Sequence, residues 1–270
     1  MAELLSSVFS LTVMRYALIV GVPVALCAAL LGVLLVLRRY SMIGDGLSHV
    51  GFGALSVAYA LHMAPMAVAV PVVILAAFLL LGLSGSRRLR GDSAIAVLSS
   101  SALALGVVAN SLAGGSATDL SGYLFGSILT LTRADVILSV SLSAVVILLF
   151  VLFKNRIFAV TFDEPFAKSA GVRVGLYNGL LALLIAVTVV VGMRIVGTML
   201  ISSLIIFPAL GAMQLAGSFR GVVLLSALIS VVSFLCGLLF AVTLPAGATI
   251  VLCNLAALLL CTILGKVIKH

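Results

Sequence analysis

The chain has 270 residues, of which 64% are hydrophobic and 8% charged, with a formal net charge of +8 and a mean hydropathy of +1.44. Soluble domains carry about a quarter charged residues, so this composition excludes a soluble fold and requires an all-α, polytopic membrane protein, whose apolar runs satisfy their own backbone as helices. The positive charge is no nucleic-acid footprint either, because the basic residues stand in the short connections between apolar runs.

Residues 1–12 read as a short amphipathic lead-in, with Glu3 and without the basic cluster that opens a cleavable signal. The first span is expected over 14–37 and stops at Arg38-Arg39. The second, over 46–61, is short for a full crossing, and Met63-Ala64-Pro65 breaks the chain after it. The third covers 66–83 and ends before Arg87, Arg88 and Arg90. Gly91-Asp92-Ser93 opens the fourth, over 93–112, with Asp92 or Ser93 as its N-cap. The longest interruption, 113–134, contains an apolar piece at 123–131 that reads as an interfacial or re-entrant helix. The fifth span is expected over 134–153, stopped by Lys154-Asn155-Arg156.

Residues 157–175 are the most polar stretch of the chain. Asp163, Glu164, Lys168 and Arg173 alternate there with apolar residues at near-helical spacing. Pro165 suits a first helical turn and Gly171 a helix end. This predicts a short amphipathic helix outside the hydrocarbon, either a solvated connector or a docking helix for a soluble partner. The sixth span follows over 176–191 and is interrupted by Gly192-Met193-Arg194. The seventh, over 195–215, contains Pro208, a signal for a kinked or broken membrane helix. The eighth covers 222–242 and the ninth 248–264, with Lys266 and Lys269 beyond.

Nine crossings with the N-terminus outside and the C-terminus in the cytoplasm put twelve of the fifteen Lys and Arg on the cytoplasmic side, leaving Arg15, Arg133 and Arg194 outside. Eight crossings result if one weak span is re-entrant. The whole chain, 1–270, forms one transmembrane domain, and 157–175 falls in the cytoplasm.

Against this apolar background, residues 38–49 stand out. Two arginines, a carboxylate and one of only three histidines fall within twelve residues. Asp45 and His49 are four apart, so a helix puts both on one face, where a carboxylate and an imidazole can share a divalent cation. The alternative makes Asp45 the N-cap of the next helix and His49 a first-turn residue. His62, beside Met63, and Asp119 are weaker metal candidates at the outer ends. The four cysteines lie inside apolar runs without a CxxC spacing and read as small hydrophobes. With no GxxxxGK[ST] phosphate loop, HExxH or GxSxG motif, the chain gives an enzyme little to rest on.

Five segments in order resemble the zinc/manganese/iron ABC-transporter permeases. Arg38 to His49 is similar to that family's RRMSLIGDxLSH signature, Gly91 to Ile95 to GDSAIG, and Tyr123 to Leu129 to YLFGSIL. Thr161 to Val172 is similar to TFDEEFAKALGV, and Val190 to Gly197 with Ile206 to Ala209 matches the region after it.

The resemblance implies a type II importer fold of the vitamin B12/siderophore permease kind, in a bacterial inner membrane. It implies a membrane dimer, likewise of this chain, two cytoplasmic ATPase subunits that hold the ATP, and an extracytoplasmic metal-binding protein. The chain itself would then be no enzyme and hold no permanent cofactor. By position, Asp45 and His49 match the family's metal-coordinating pair. Residues 162–172 match its coupling helix, with Phe162, Asp163, Glu164, Phe166, Ala167, Lys168 and Gly171 in the segment that meets the ATPase. The YLFGSILT variant points toward zinc as cargo, with manganese or iron as the alternatives. Rival readings are a secondary transporter driven by an ion gradient, whose ionisable residues belong mid-span on several helices; a permease for a metal chelate or vitamin; and a membrane scaffold.

Overall fold

The computed structural model describes residues 12–84, 91–114, 126, 132–198, 201–241 and 244–268, and the elements among them are all helical. In chain order they are α1 (Thr12–Leu37), α2 (Ile43–Ala60), α3 (Pro65–Ser84), α4 (Gly91–Leu112), α5 (Arg133–Phe162), α6 (Glu164–Ser169), α7 (Val174–Val196), α8 (Ile201–Leu215), α9 (Phe219–Phe240) and α10 (Ala246–Ile268). Six helices (α1, α4, α5, α7, α9 and α10) are long and apolar enough to cross a membrane, and Pro65–Leu81 and Ile201–Leu215 are shorter apolar helices. The apolar piece at 123–131 falls, except for Gly126, outside the described residues, as does Asp119.

α1 is the central mast. Ala17, Val20, Ala25, Ala28 and Val33 are wholly buried along it, and α5, α7, α8 and α9 pack around it. Small polar residues stitch the helices together, since hydrocarbon offers no hydrophobic drive between them. Ser230 Oγ on α9 donates 2.9 Å to the Ala25 carbonyl, and Ser226 Oγ donates 3.4 Å to that of Ala29. Large apolar side chains on the outside, such as Leu105, Leu152, Leu228 and Leu259, are exposed in the isolated chain, as lipid-facing positions require.

α2 is built differently. It is rich in Gly and Ser, and most of it is buried. Its glycines let α4 approach to backbone contact. A Cβ on Gly53 would stand 2.5 Å from the Ala102 carbonyl oxygen, and one on Gly106 2.7 Å from the Phe52 ring. α3, α7 and α8 also touch α2, so the helix carrying Asp45 and His49 is enclosed by protein.

Several expected boundaries move. α2 starts at Ile43, with Met42 as its N-cap residue, so Asp45 lies inside the first turn and does not cap the helix. α4 starts at Gly91, which places Asp92 and Ser93 within the helix instead of at its cap. Lys154-Asn155-Arg156 does not stop α5, which runs 30 residues from a Thr132/Asp135 capping box to Phe162. Charges mark where hydrocarbon ends, but no Gly or Pro is present to end the helix. At 1.5 Å per residue it is about 45 Å long, beyond a hydrocarbon core of about 30 Å. Gly192-Met193-Arg194 likewise continues α7, and the break comes at Gly197, whose φ of +96 suits glycine. Gly192 is there for packing, because a Cβ on it would collide with Ile201.

Candidate functional site

The segment joining α1 to α2 is a tight hydrogen-bonded turn. The amide of Arg39, at φ +60, donates to the Val36 carbonyl at 3.1 Å, Tyr40 N donates to Leu35 O at 2.9 Å, and Ile43 N donates to Tyr40 O at 3.0 Å. It delivers α2 directly into the protein, where Ile43 is 1% exposed. The dipole of the new helix favours a carboxylate in its first turn, the position of Asp45.

Asp45 and His49 meet on one face as their spacing predicts, with His49 Nε2 3.5 Å from Asp45 Oδ2. The other carboxylate oxygen, Oδ1, accepts a 3.2 Å hydrogen bond from Ser202 Oγ at the start of α8. Ser48 Oγ donates 2.8 Å to the Asp45 carbonyl and so occupies itself on the helix backbone. The side chains of His49 and Asp45 are 13% and 33% exposed. His49 Nδ1 is buried with no hydrogen-bond partner in this chain, which leaves one imidazole nitrogen uncommitted.

Both side chains open into a cavity of about 390 Å³ between α2 and α4, with Met42 at one edge and Ile95, Ser99, Ser100 and Leu103 on the α4 wall. Ser99 Oγ donates 2.6 Å to the Ile95 carbonyl and Ser100 Oγ 2.7 Å to that of Ala96. Their oxygens remain acceptors toward the cavity. Sequence reasoning missed Ser202, Ser99 and Ser100. The Ser202-Ser203 pair beside the broken helix was a visible signal, but nothing local named Asp45 as its partner.

Among the described residues no third His, Cys, Asp or Glu joins the pair. His62 sits in an exposed turn at φ +53 beyond the far end of α2, about 20 Å from His49 along the helix axis, so the two cannot share one ion.

The α5–α6 corner carries the second group of candidate residues. Asp163 leaves the helical region at φ −146 and caps α6, accepting a 2.9 Å bond from Phe166 N. Pro165 occupies the first turn, and Gly171 closes the segment at φ +77. The helix is shorter than 157–175, because 157–162 belongs to α5. Ala167 is buried, whereas Glu164 and Lys168 are exposed and Phe162 and Phe166 stand 73% and 66% exposed. Two aromatic rings are thus turned outward beside charged residues.

A model of the ABC 3 transport family matches residues 10–265. The manganese import system permease protein ScaB of Streptococcus gordonii is 31% identical over 241 residues, covering 88% of this chain and 86% of that protein. The manganese transport system membrane protein MntC of Halalkalibacterium halodurans is 29% identical over 245 residues, covering 90% and 84%. The solved structure of PsaBC from Streptococcus pneumoniae in complex with Fab superposes with a TM-score of 0.86 at 30% identity, covering 96% of this chain and 94% of that one. The chain therefore belongs to the ABC 3 transport family, the permease family that its ordered motifs resemble.

Proposed function

We propose that this chain is the membrane permease of an ATP-driven importer of divalent metal ions. The observation that carries the proposal is the Asp45–His49 pair, held on an enclosed helix and open to a cavity. A carboxylate offsets the cation's charge as it leaves water, and an imidazole supplies a borderline-soft nitrogen. One pair is too few ligands for a stable site. A second copy of the chain facing the same cavity would raise the set to four, which suits a transient station on a pathway.

Manganese is the favoured cargo, on the names of the relatives above. The zinc preference drawn from YLFGSILT gains no support from them, and the donor set accepts either ion. In this mechanism an extracytoplasmic binding protein delivers the ion to the outer mouth, and it passes between the two permeases to Asp45 and His49. Two ATPase subunits grip the α5–α6 corner through Phe162 and Phe166 and drive the cycle. In this reading the six long apolar helices span the membrane together with the shorter α2, α3 and α8, nine crossings that put the N-terminus outside and α6 in the cytoplasm, in keeping with the basic residues of the turns.

The test is transport by proteoliposomes containing the permease, its ATPase and its binding protein. Uptake of radioactive manganese should need ATP on the cytoplasmic face and survive a proton ionophore. Uptake that follows the ion gradient without ATP would replace this reading with a secondary transporter.

A further inference from the structure

Arg38 and Arg39 are adjacent, but only one of them behaves as an ordinary membrane-flanking arginine. Arg39 is exposed, whereas Arg38 is half-buried. Arg38 Nε donates a 3.2 Å hydrogen bond to Thr161 Oγ1, in the last turn of α5, across 123 residues of chain. Burial pushes its guanidinium down from its ordinary value, and the Glu164 carboxylate at the start of α6 acts in the opposite sense. Arg38 thus reaches the corner that leads, two residues after Thr161, to the cap of the docking helix.

On its other side Arg38 is joined to Asp45 by a segment without slack. The turn at 38–43 is closed by its own backbone hydrogen bonds, and Gly46 N donates 3.0 Å to Met42 O as α2 begins. The first turn of α2 is wedged between neighbours. A Cβ on Gly46 would meet Ile95 of α4 at 2.7 Å, and one on Gly44 would meet Ile205 of α8 at 3.2 Å. A push on the α5–α6 corner therefore has a short, stiff route to the helix that holds the Asp45–His49 pair.

We propose that Arg38 is the mechanical link between the ATPase-docking corner and the metal-binding turn of α2, with Thr161 as its anchor. The link rests on the import reading above. It assigns Arg38 a positioning role: the side chain touches no ion, but it makes the opening of the Asp45–His49 site follow the movement of α6.

The link is tested in proteoliposomes with the complete complex, by measuring ATP hydrolysis and manganese uptake on the same preparation. Arg38→Ala should raise the ATP consumed per ion moved about tenfold, the loss expected of one charge-assisted hydrogen bond, while the ATPase still co-purifies. Thr161→Val, which swaps a hydroxyl for a methyl, should shift the ratio the same way, and the double variant should be no worse than Arg38→Ala. Arg38→Lys should recover only part of the coupling, since an ammonium lacks the guanidinium fork. Arg39→Ala should keep the wild-type ratio. A wild-type ratio in Arg38→Ala and Thr161→Val overturns the link, as does a parallel fall in hydrolysis and uptake, which a purely structural role would give. If Arg38→Ala does not assemble, Thr161→Val decides. Failure of the wild-type complex to import metal refutes the import reading itself, whereas normal import with unaltered variants refutes the link alone.

Discussion

Ser202 Oγ donates a 3.2 Å hydrogen bond to Asp45 Oδ1 and ties the first turn of α8 to the first turn of α2 across 157 residues of chain. With His49 Nε2 on the opposite oxygen at 3.5 Å, the carboxylate is held from both sides. Two helix N-termini converge on it, and each favours negative charge there.

Ser202→Ala removes one of those restraints and leaves Asp45 and His49, the proposed metal donors, in place. The bond contributes about 1 kcal/mol in a half-exposed site, so apparent affinity for transported manganese should weaken roughly fivefold. The maximal rate should change little. Uptake measured against manganese concentration checks this, and an unchanged half-saturation concentration would remove Ser202 from the site.

Phe162 and Phe166 face outward on the α5–α6 corner. Phe166→Asp should abolish co-purification of the ATPase while the permease stays folded in the membrane, because the ring is 66% exposed and packs little within this chain. Asp163→Ala should act more mildly. Losing the cap that accepts from Phe166 N costs α6 about 1 kcal/mol and should reduce ATPase recovery without eliminating it. Pull-down of the ATPase from detergent extracts compares the two.

The α2–α4 seam depends on glycine. Gly53→Val would drive a side chain into the Ala102 carbonyl, with an overpacking cost of about 1–3 kcal/mol. Thermal unfolding in detergent should shift down by several degrees, on the order expected for such a cost. Gly175, inside α7 and with nothing within 4 Å of its would-be Cβ, gives the contrast: Gly175→Ala should not lower the unfolding temperature and should raise it slightly.

His62 lies in an exposed turn at the opposite end of α2 from Asp45. His62→Ala should transport manganese at the wild-type rate. A loss of uptake would move the first metal contact to the outer turn.

Much of this was legible in the sequence because it is written locally. Apolar run length fixed the placement of α1, α3 and α9, and the four-residue spacing of Asp45 and His49 put them on one face. Pro165 and Gly171 mark the first turn and the end of α6 in the sequence, whereas the Asp163 cap shows only in the structure. What stayed hidden depends on contacts between distant segments. Lys154-Asn155-Arg156 looks like a helix stop, yet α5 continues because nothing in its backbone breaks it. Gly192 looks like part of an interruption, yet it is a packing glycine against Ile201, and the real break falls at Gly197. Ser202 could not be matched to Asp45, nor Arg38 to Thr161, because neither pair shares a local pattern.

Whether Asp45 and His49 carry the metal is tested most directly by radioactive manganese and zinc uptake, assayed separately, by membranes carrying the complete complex with wild-type, Asp45→Ala or His49→Ala permease. Membrane level and ATPase co-purification must be matched across the three. Both variants should lose uptake while the ATPase remains bound, and the wild type should favour manganese. Normal uptake in both variants would contradict that role, leaving Asp45 and His49 as structural residues of the first turns of α2.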